Sequence, residues 1–257
     1  MITFYKYQGT GNDFVMIDNR RQFMAKNDVA YIKLLCDRRF GIGADGLILL
    51  ENSTISDFKM IYFNADGHQS TMCGNGGRCI VAFANFLNII KGNTIFEAID
   101  GLHNATIIND IVSLQMLDIH KIESKENGVF LDTGSPHHVQ FEDKILNFDI
   151  QTLGSKIRNE VYGKKGSNVN FVKKINDNTF KLRTYERGVE GETLACGTGA
   201  TAVAVAMNYL NETNETDLTL QVEGGELQVS FTVLNGSYTN VFLKGNAIHV
   251  FKGEISC

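Results

Sequence analysis

A single proline, Pro136, stands in a chain of 257 residues, so 25 glycines supply most of the sharp turns. No stretch approaches 18 consecutive apolar residues, which argues against a membrane-spanning helix. No lysine- or arginine-rich block is present and the formal net charge is −5, so a nucleic-acid partner is not expected. The opening Met1-Ile2-Thr3-Phe4-Tyr5-Lys6 reads as a strand and lacks the apolar run of a signal peptide. Five cysteines, Cys36, Cys73, Cys79, Cys196 and Cys257, form an odd set with neither CxxC nor histidine-rich spacing. The expected compartment is the cytoplasm, with reduced thiols. No proline- or serine-rich linker marks a domain boundary. With 43% apolar and 21% charged residues, the composition is that of a globular enzyme of one large domain or two small ones.

The positive signal is a repeat. Met72-Cys73-Gly74-Asn75-Gly76-Gly77-Arg78 and Ala195-Cys196-Gly197-Thr198-Gly199-Ala200-Thr201 each set a cysteine before a glycine-rich step that opens into an apolar, alanine-rich run. The two cysteines lie 123 positions apart, close to half the chain. Aligned on them, Phe86 meets Tyr209, Leu87 meets Leu210, and Phe63-Asn64 meets Glu186-Arg187. A repeat of this size implies a duplicated domain. β-Branched and aromatic enrichment predicts strands over 2–7, 14–19, 47–51, 58–63, 94–98, 104–108 and 111–116 in the first half. In the second half it predicts strands over 129–132, 138–141, 169–174, 180–185, 218–223, 226–232, 238–244 and 247–252. Helices are expected over 27–38, with Val29, Ile32, Leu35 and Cys36 on one face, and from each glycine step to Leu87 and Leu210.

A thiol at a helix N-terminus sits in the positive end of the macrodipole, which favours the thiolate. One such cysteine suggests a nucleophile. Two in mirrored halves suggest a pair of acid–base groups facing one substrate. Cys36, Cys79 and Cys257 lack that context and read as small core residues. The glycine-rich loops match neither a P-loop nor a GxGxxG step after a strand, so a nucleotide cradle is disfavoured. His137 and His138 are neighbours on a strand and point to opposite faces, so they cannot readily share a metal ion.

Several segments carry a family likeness: Gly9-Thr10-Gly11-Asn12-Asp13-Phe14, Gly41-Ile42-Gly43-Ala44-Asp45, and Asn64-Ala65-Asp66-Gly67 before the Cys73 step. Pro136-His137, Asn168-Val169 and Tyr185-Glu186-Arg187-Gly188 before the Cys196 step continue it in order. In these residues the chain resembles the diaminopimelate epimerases, cofactor-independent amino-acid epimerases of lysine and peptidoglycan precursor synthesis. The resemblance implies an α+β fold of two similar, pseudo-twofold domains, each a β-barrel-like mixed sheet around a central helix, with the substrate in the cleft between them. The expected halves are 1–117, joined by about 247–257 returning to it, and 118–246. No cofactor and no metal are implied, the partner is the small-molecule substrate, and a homodimer is admitted.

The chemistry of the residues agrees. Inverting an α-carbon requires taking a proton from one face and delivering one to the other, which two opposed groups achieve without moving. The unperturbed thiol pKa of about 8.5 can be brought near neutrality by a helix end. Cys73 and Cys196 are the expected pair, with main-chain N–H groups of Gly74, Asn75, Gly197 and Thr198 holding the α-carboxylate. The family's Pro-His makes His137 a cleft residue supporting the thiols. Arg187 offers a fork for the far carboxylate, and Glu186 an acceptor for the far ammonium or a partner for His137. Asn12, Asn64 and Asn168 supply amides suited to a zwitterion. Two positions depart from the family: Gly46 stands where many members have glutamine, and Ser135 where many have asparagine, leaving Ser135 a shorter contact. Three alternatives stay open: a proline or hydroxyproline racemase using the same thiols, an isomerase with a carboxylate base, and a non-catalytic amino-acid-binding protein.

Overall fold

The computed structural model describes residues 1–256. Cys257, and with it the reading of that thiol as a core residue, lies outside the described residues. The chain divides into two units, one of Met1–Leu114 together with the segment from Gly245 onward, the other of Gln115–Lys244.

The first unit comprises β1 (Ile2–Gly9), β2 (Asn12–Asp18), α1 (Val29–Cys36), β3 (Gly46–Glu51), β4 (Phe58–Asn64), α2 (Gly74–Phe86), β5 (Asn93–Ala98), β6 (Gly101–Ile108) and β7 (Ile111–Gln115). The second comprises β8 (Ile122–Lys125), β9 (Gly128–Asp132), β10 (Pro136–Phe141), α3 (Ile150–Lys156), β11 (Asn168–Lys174), β12 (Thr179–Glu186), β13 (Gly191–Thr193), α4 (Gly197–Tyr209), β14 (Asp217–Val222), β15 (Gly225–Leu234) and β16 (Ser237–Asn246). The chain then returns as β17 (Ile248–Ile255), which pairs antiparallel with β1 in the first unit.

Strand pairing repeats between the units. In the first, a run of eight strands goes β17–β1–β2–β3–β4–β5–β6–β7, with only β2–β3 and β4–β5 parallel. In the second, eight strands run β8–β9–β10–β11–β12–β14–β15–β16, with only β10–β11 and β12–β14 parallel. The short β13 adds to β12 alone. β3 is buried along its whole length, as a strand covered on both faces must be. One face meets α1, where Ile32, Leu35 and Cys36 join Val15, Ile17, Leu47 and Leu49 in one apolar cluster. The other meets α2, whose Gly76 abuts Ile48 and Met60 so closely that a Cβ there would lie 2.9 Å from Ile48 Cδ1.

Helices α2 and α4 are buried all round from Gly74 to Ala84 and from Gly197 to Met207. Such a helix can only sit at the centre of a unit. No helix among the described residues is long and apolar enough to cross a membrane.

The elements differ from expectation in places. The helix expected over 27–38 is shorter because Asp28 caps it, accepting from the Tyr31 N–H, and Asp37 ends it in extended conformation. β8, β13 and α3 were not foreseen. α3 has a weak helical signal because it carries Gly154, which packs against Tyr185: a Cβ there would lie 2.5 Å from the tyrosine Cβ. It continues into a π-helical turn, Ile157–Val161, and its Ile150 and Ile157 cluster with Val169, Phe171 and Tyr185. The repeat also slips by one residue at a strand end. β4 ends at Asn64 and β12 at Glu186, so Asn64 occupies the place of Glu186 rather than of Arg187.

Candidate active site

Of the four α-helices among the described residues, two begin with a capping carboxylate and two do not. Asp28 and Asp149 accept from the backbone of α1 and α3. The N-cap residues of α2 and α4 are Cys73 (φ −112°, ψ 119°) and Cys196 (φ −124°, ψ 110°), alike in conformation and without a side-chain cap bond. Their carbonyls open the helical ladders, accepting from Gly77 N at 2.7 Å and Ala200 N at 2.8 Å. The preceding first-turn N–H groups, at 74–76 and 197–199, have no carbonyl partner within their own helix. Each thiol therefore stands beside a set of amide donors at the positive end of a helix.

Around Cys73 the side chains are fixed in orientation. Asp45 accepts from Asn12 Nδ2 at 2.8 Å, which turns Asn12 Oδ1 toward Cys73 Sγ, 3.7 Å away, and toward Asn75 Nδ2 at 3.2 Å. Asn75 Oδ1 accepts from Arg78 Nη2, which also donates to Thr10 Oγ1 at 2.9 Å. Both ends of the Asn75 amide are thus engaged by protein, so its main-chain N–H is the group it presents at the helix start. Asp45 is tied by Arg38 to Asp13, and Asp13 also pairs with Lys6, whose ammonium donates to the Gly43 carbonyl. Burial alone would raise the Asp13 carboxyl, but hydrogen bonds from Arg38 and Lys6 hold it well below the usual carboxylate range. Cys36 and Cys79 lie buried nearby, and burial pushes both thiols up to about 12.

Around Cys196, Thr198 Oγ1 lies 3.4 Å from Sγ, and Thr133 donates to the Thr198 carbonyl at 2.9 Å. Asn170 braces the second unit: it accepts from Thr184 Oγ1, and its Nδ2 donates to the His138 carbonyl and to His137 Nδ1. That pattern assigns the His137 proton to Nε2. His137 is fully buried, and burial, reinforced by the charge of Arg187, lowers its pKa to about 3. It is a neutral imidazole at neutral pH. His138 faces away and bonds Tyr162 Oη at 2.8 Å.

The remaining expected residues separate by role. Asn168 Oδ1 accepts from the Arg187 N–H at 2.8 Å and its Nδ2 lies 3.4 Å from His137 Nε2, so it holds the turn that carries Arg187. Arg187 donates through Nη1 to the Lys165 carbonyl and has no carboxylate within ion-pair distance among the described residues. Glu186 accepts from Thr193 Oγ1 at 3.0 Å. Ser135 is half-buried in the turn after Thr133-Gly134, and Asn64 is exposed at the end of β4. Gly46 has a local reason to be glycine: a Cβ would lie 2.6 Å from both the Phe63 carbonyl and the Tyr62 ring.

Thr10, Asp45, Arg78, Thr133 and Asn170 were not among the expected site residues. A signal for two of them was present. Thr10-Gly11 and Thr133-Gly134 lie 123 positions apart, the same spacing as the cysteines, and both glycines take positive φ, +84° and +96°.

The family model for diaminopimelate epimerase matches residues 4–113 and 129–250. A diaminopimelate epimerase of Flavobacterium psychrophilum is 61% identical, covering 98% of this chain and 99% of the relative. One from a Hydrogenobaculum species is 40% identical, covering 98% and 97%. Among solved structures, a PhzF-family phenazine biosynthesis protein of Bacillus anthracis superposes with TM-score 0.79 at 11% identity, covering 100% of this chain and 99% of that one. A probable proline racemase of Agrobacterium radiobacter gives 0.71 at 14%, covering 100% and 93%. At such identities these two share the fold.

Proposed function

The chain belongs to the diaminopimelate epimerase family, and from that premise we propose that it interconverts LL- and meso-diaminopimelate, without a cofactor, by proton exchange at Cys73 and Cys196. One cysteine, as thiolate, removes the α-proton and becomes a thiol. The other, as thiol, delivers its proton to the opposite face of the same carbon and becomes a thiolate. The net charge of the pair is unchanged and its protonation is reversed, so the next turnover can run in either direction. The observation that carries this reading is the pair of matched helices, each led by a cysteine with no capping side chain.

The main-chain N–H groups at those helix starts, on Gly74, Asn75, Gly197 and Thr198, bind the α-carboxylate and stabilise the charge that builds as the proton leaves. Neutral His137 lends polarity without competing for the proton. Arg187 receives the far carboxylate, with Glu186 and Asn64 near the far ammonium; Asn168 orients Arg187, Asn12 orients the Cys73 thiol, and Ser135 adds a hydroxyl contact. The product serves lysine and peptidoglycan precursor synthesis, which sets the enzyme in the cytoplasm.

Incubation with LL-diaminopimelate in heavy water should place deuterium at one α-carbon as the meso isomer forms. Cys73→Ala and Cys196→Ala should each abolish that turnover while far-ultraviolet circular dichroism stays unchanged. Near-normal turnover in either variant would sink the two-thiol reading.

A further inference from the structure

The turn that carries Arg187 closes on a residue in an uncommon conformation. Glu190 has a φ of +58°, a left-handed value that a residue with a Cβ disfavours. Its N–H donates to the Glu186 carbonyl at 2.8 Å, which closes the turn from 186 to 190. The side chain is 44% exposed, so burial does not hold it in place. Hydrogen bonds do. Glu190 Oε1 accepts from the Gly188 N–H and from Arg158 Nε, both at 3.1 Å, and Oε2 accepts from Tyr185 Oη at 3.1 Å. The Glu190 carbonyl accepts from Gln151 Nε2 of α3 at 3.0 Å. A non-glycine residue kept in this region by so many partners marks a place where the surroundings dictate the backbone.

Arg158 reaches a second loop as well. It lies in the π-helical turn that follows α3, an irregularity of a kind common at functional sites. Its Nη1 donates to the Gly163 carbonyl at 3.3 Å. From Gly163 the chain runs through Lys165, whose carbonyl accepts from Arg187 Nη1 at 2.9 Å, to Gly166. Gly166 is buried with a φ of +63°, and a Cβ there would lie 2.9 Å from Arg158 Cζ and 3.1 Å from Arg187 Cδ. Both arginines therefore pack against one glycine. The Arg158 guanidinium joins the turn that fixes the Arg187 backbone to the loop that anchors the Arg187 side chain. Each bond contributes little by itself, as exposed ion pairs do. The effect lies in geometry: a fork that meets a carboxylate in two places must be held in register, and a misplacement of about 1 Å can cost roughly a hundredfold.

We propose, on the reading of Arg187 as receiver of the far carboxylate, that the Arg158–Glu190 pair positions Arg187 and so sets selectivity for a substrate with a second carboxylate. Neither residue needs to touch the substrate. Both act through Arg187, Glu190 on its backbone and Arg158 on the loop that anchors its guanidinium.

Glu190→Gly tests this, because glycine adopts the same φ without strain while the side-chain bonds vanish. KM for diaminopimelate should rise about threefold to tenfold with kcat changed by less than about twofold, the pattern of lost binding rather than lost chemistry. In an Arg187→Ala background the same substitution should cost less than about twofold in kcat/KM, since a residue acting through Arg187 has nothing left to position. Glu190→Gln keeps an oxygen for the Gly188 N–H and for Arg158, and should stay within about twofold of the wild type. Arg158→Met should show the same split and the same loss of effect without Arg187, and it carries the test if Glu190→Gly does not fold. Equal losses with and without Arg187 would overturn the proposal, as would a wild-type KM in folded Glu190→Gly. Hydrogen exchange reads the brace without substrate: the Gly188 amide should exchange roughly tenfold faster in Glu190→Gly, and unchanged exchange would also overturn it. Arg187→Ala with unchanged kcat/KM would instead overturn the reading of Arg187, and the selectivity role with it.

Discussion

Arg187 is anchored through Nη1 to the Lys165 carbonyl, while Asn168 fixes its backbone. A guanidinium held in this way can still offer two donors to a carboxylate. Arg187→Ala should cost on the order of 2–5 kcal/mol in kcat/KM for diaminopimelate, the range for removing one partner of a charge-assisted pair. Lysine, lacking the far carboxylate, should be a very poor substrate of the wild type; comparable turnover of lysine or proline in the same steady-state assay would contradict this role. His137 gives a second prediction at this scale. Its folded pKa of about 3 lies below the unfolded value near 6.5, so between them the unfolded chain binds more protons and stability rises with pH. The contribution is complete above about pH 6.5 and is lost as pH falls toward 3. Urea unfolding should show the wild type losing roughly 2 kcal/mol between about pH 7.5 and about pH 5, with a smaller loss in His137→Gln. His138, lowered by burial in the same direction, keeps some slope in that variant. An identical slope in both proteins would show that His137 is not held neutral.

At the scale of elements, α2 and α4 give up a cap that α1 and α3 possess. Cys73→Ser and Cys196→Ser each place a capping oxygen at an N-cap that already has extended geometry. Each should therefore hold or raise stability, by about 0.5–1 kcal/mol, while turnover collapses for want of an acidic thiol. Thermal unfolding alongside the deuterium assay checks this; a large drop in Tm would show that the thiols also carry packing. These two helices were the most legible part of the sequence, because glycine after cysteine and then alanine in a long apolar run leaves few other structures. The α+β class was legible through the family resemblance, and most strand positions through their β-branched and aromatic residues. α3 was not, since Gly154 serves packing on Tyr185 and, with Ser155 beside it, masks the helical period. Arg78 was hidden by its type: an arginine in a helix ordinarily reads as a solvated charge, and only the packing reveals it as fully buried. Gly46 looked like a lost contact, whereas its place beside Tyr62 and the Phe63 carbonyl leaves no room for any side chain.

At the scale of the whole molecule, the two units repeat one strand order but differ in how the chain completes it. The second is continuous, its β8–β9 hairpin closing over the turn between Lys125 and Gly128. In the first, the same hairpin position is filled by β17 and β1, with Ile255 opposite Ile2. Gly253 makes the fit, since a Cβ there would lie 2.5 Å from the Phe4 ring. A chain ending at Lys244 should therefore lose the first unit, seen as loss of protection of β1 and β2 amides in hydrogen exchange, while the second stays protected. Moving the segment from Gly245 onward ahead of Met1 through a short loop should restore protection. Equal protection in the truncated and full chains would mean that β17 is dispensable. On the ribosome the same pairing inverts the expected order of events. The second unit can fold as soon as it emerges, but β1 must keep its edge uncovered until β17, which follows the whole of that unit, has been polymerised. The unit begun before its neighbour is thus finished after it, and its open strand edge is what needs shelter from aggregation during synthesis.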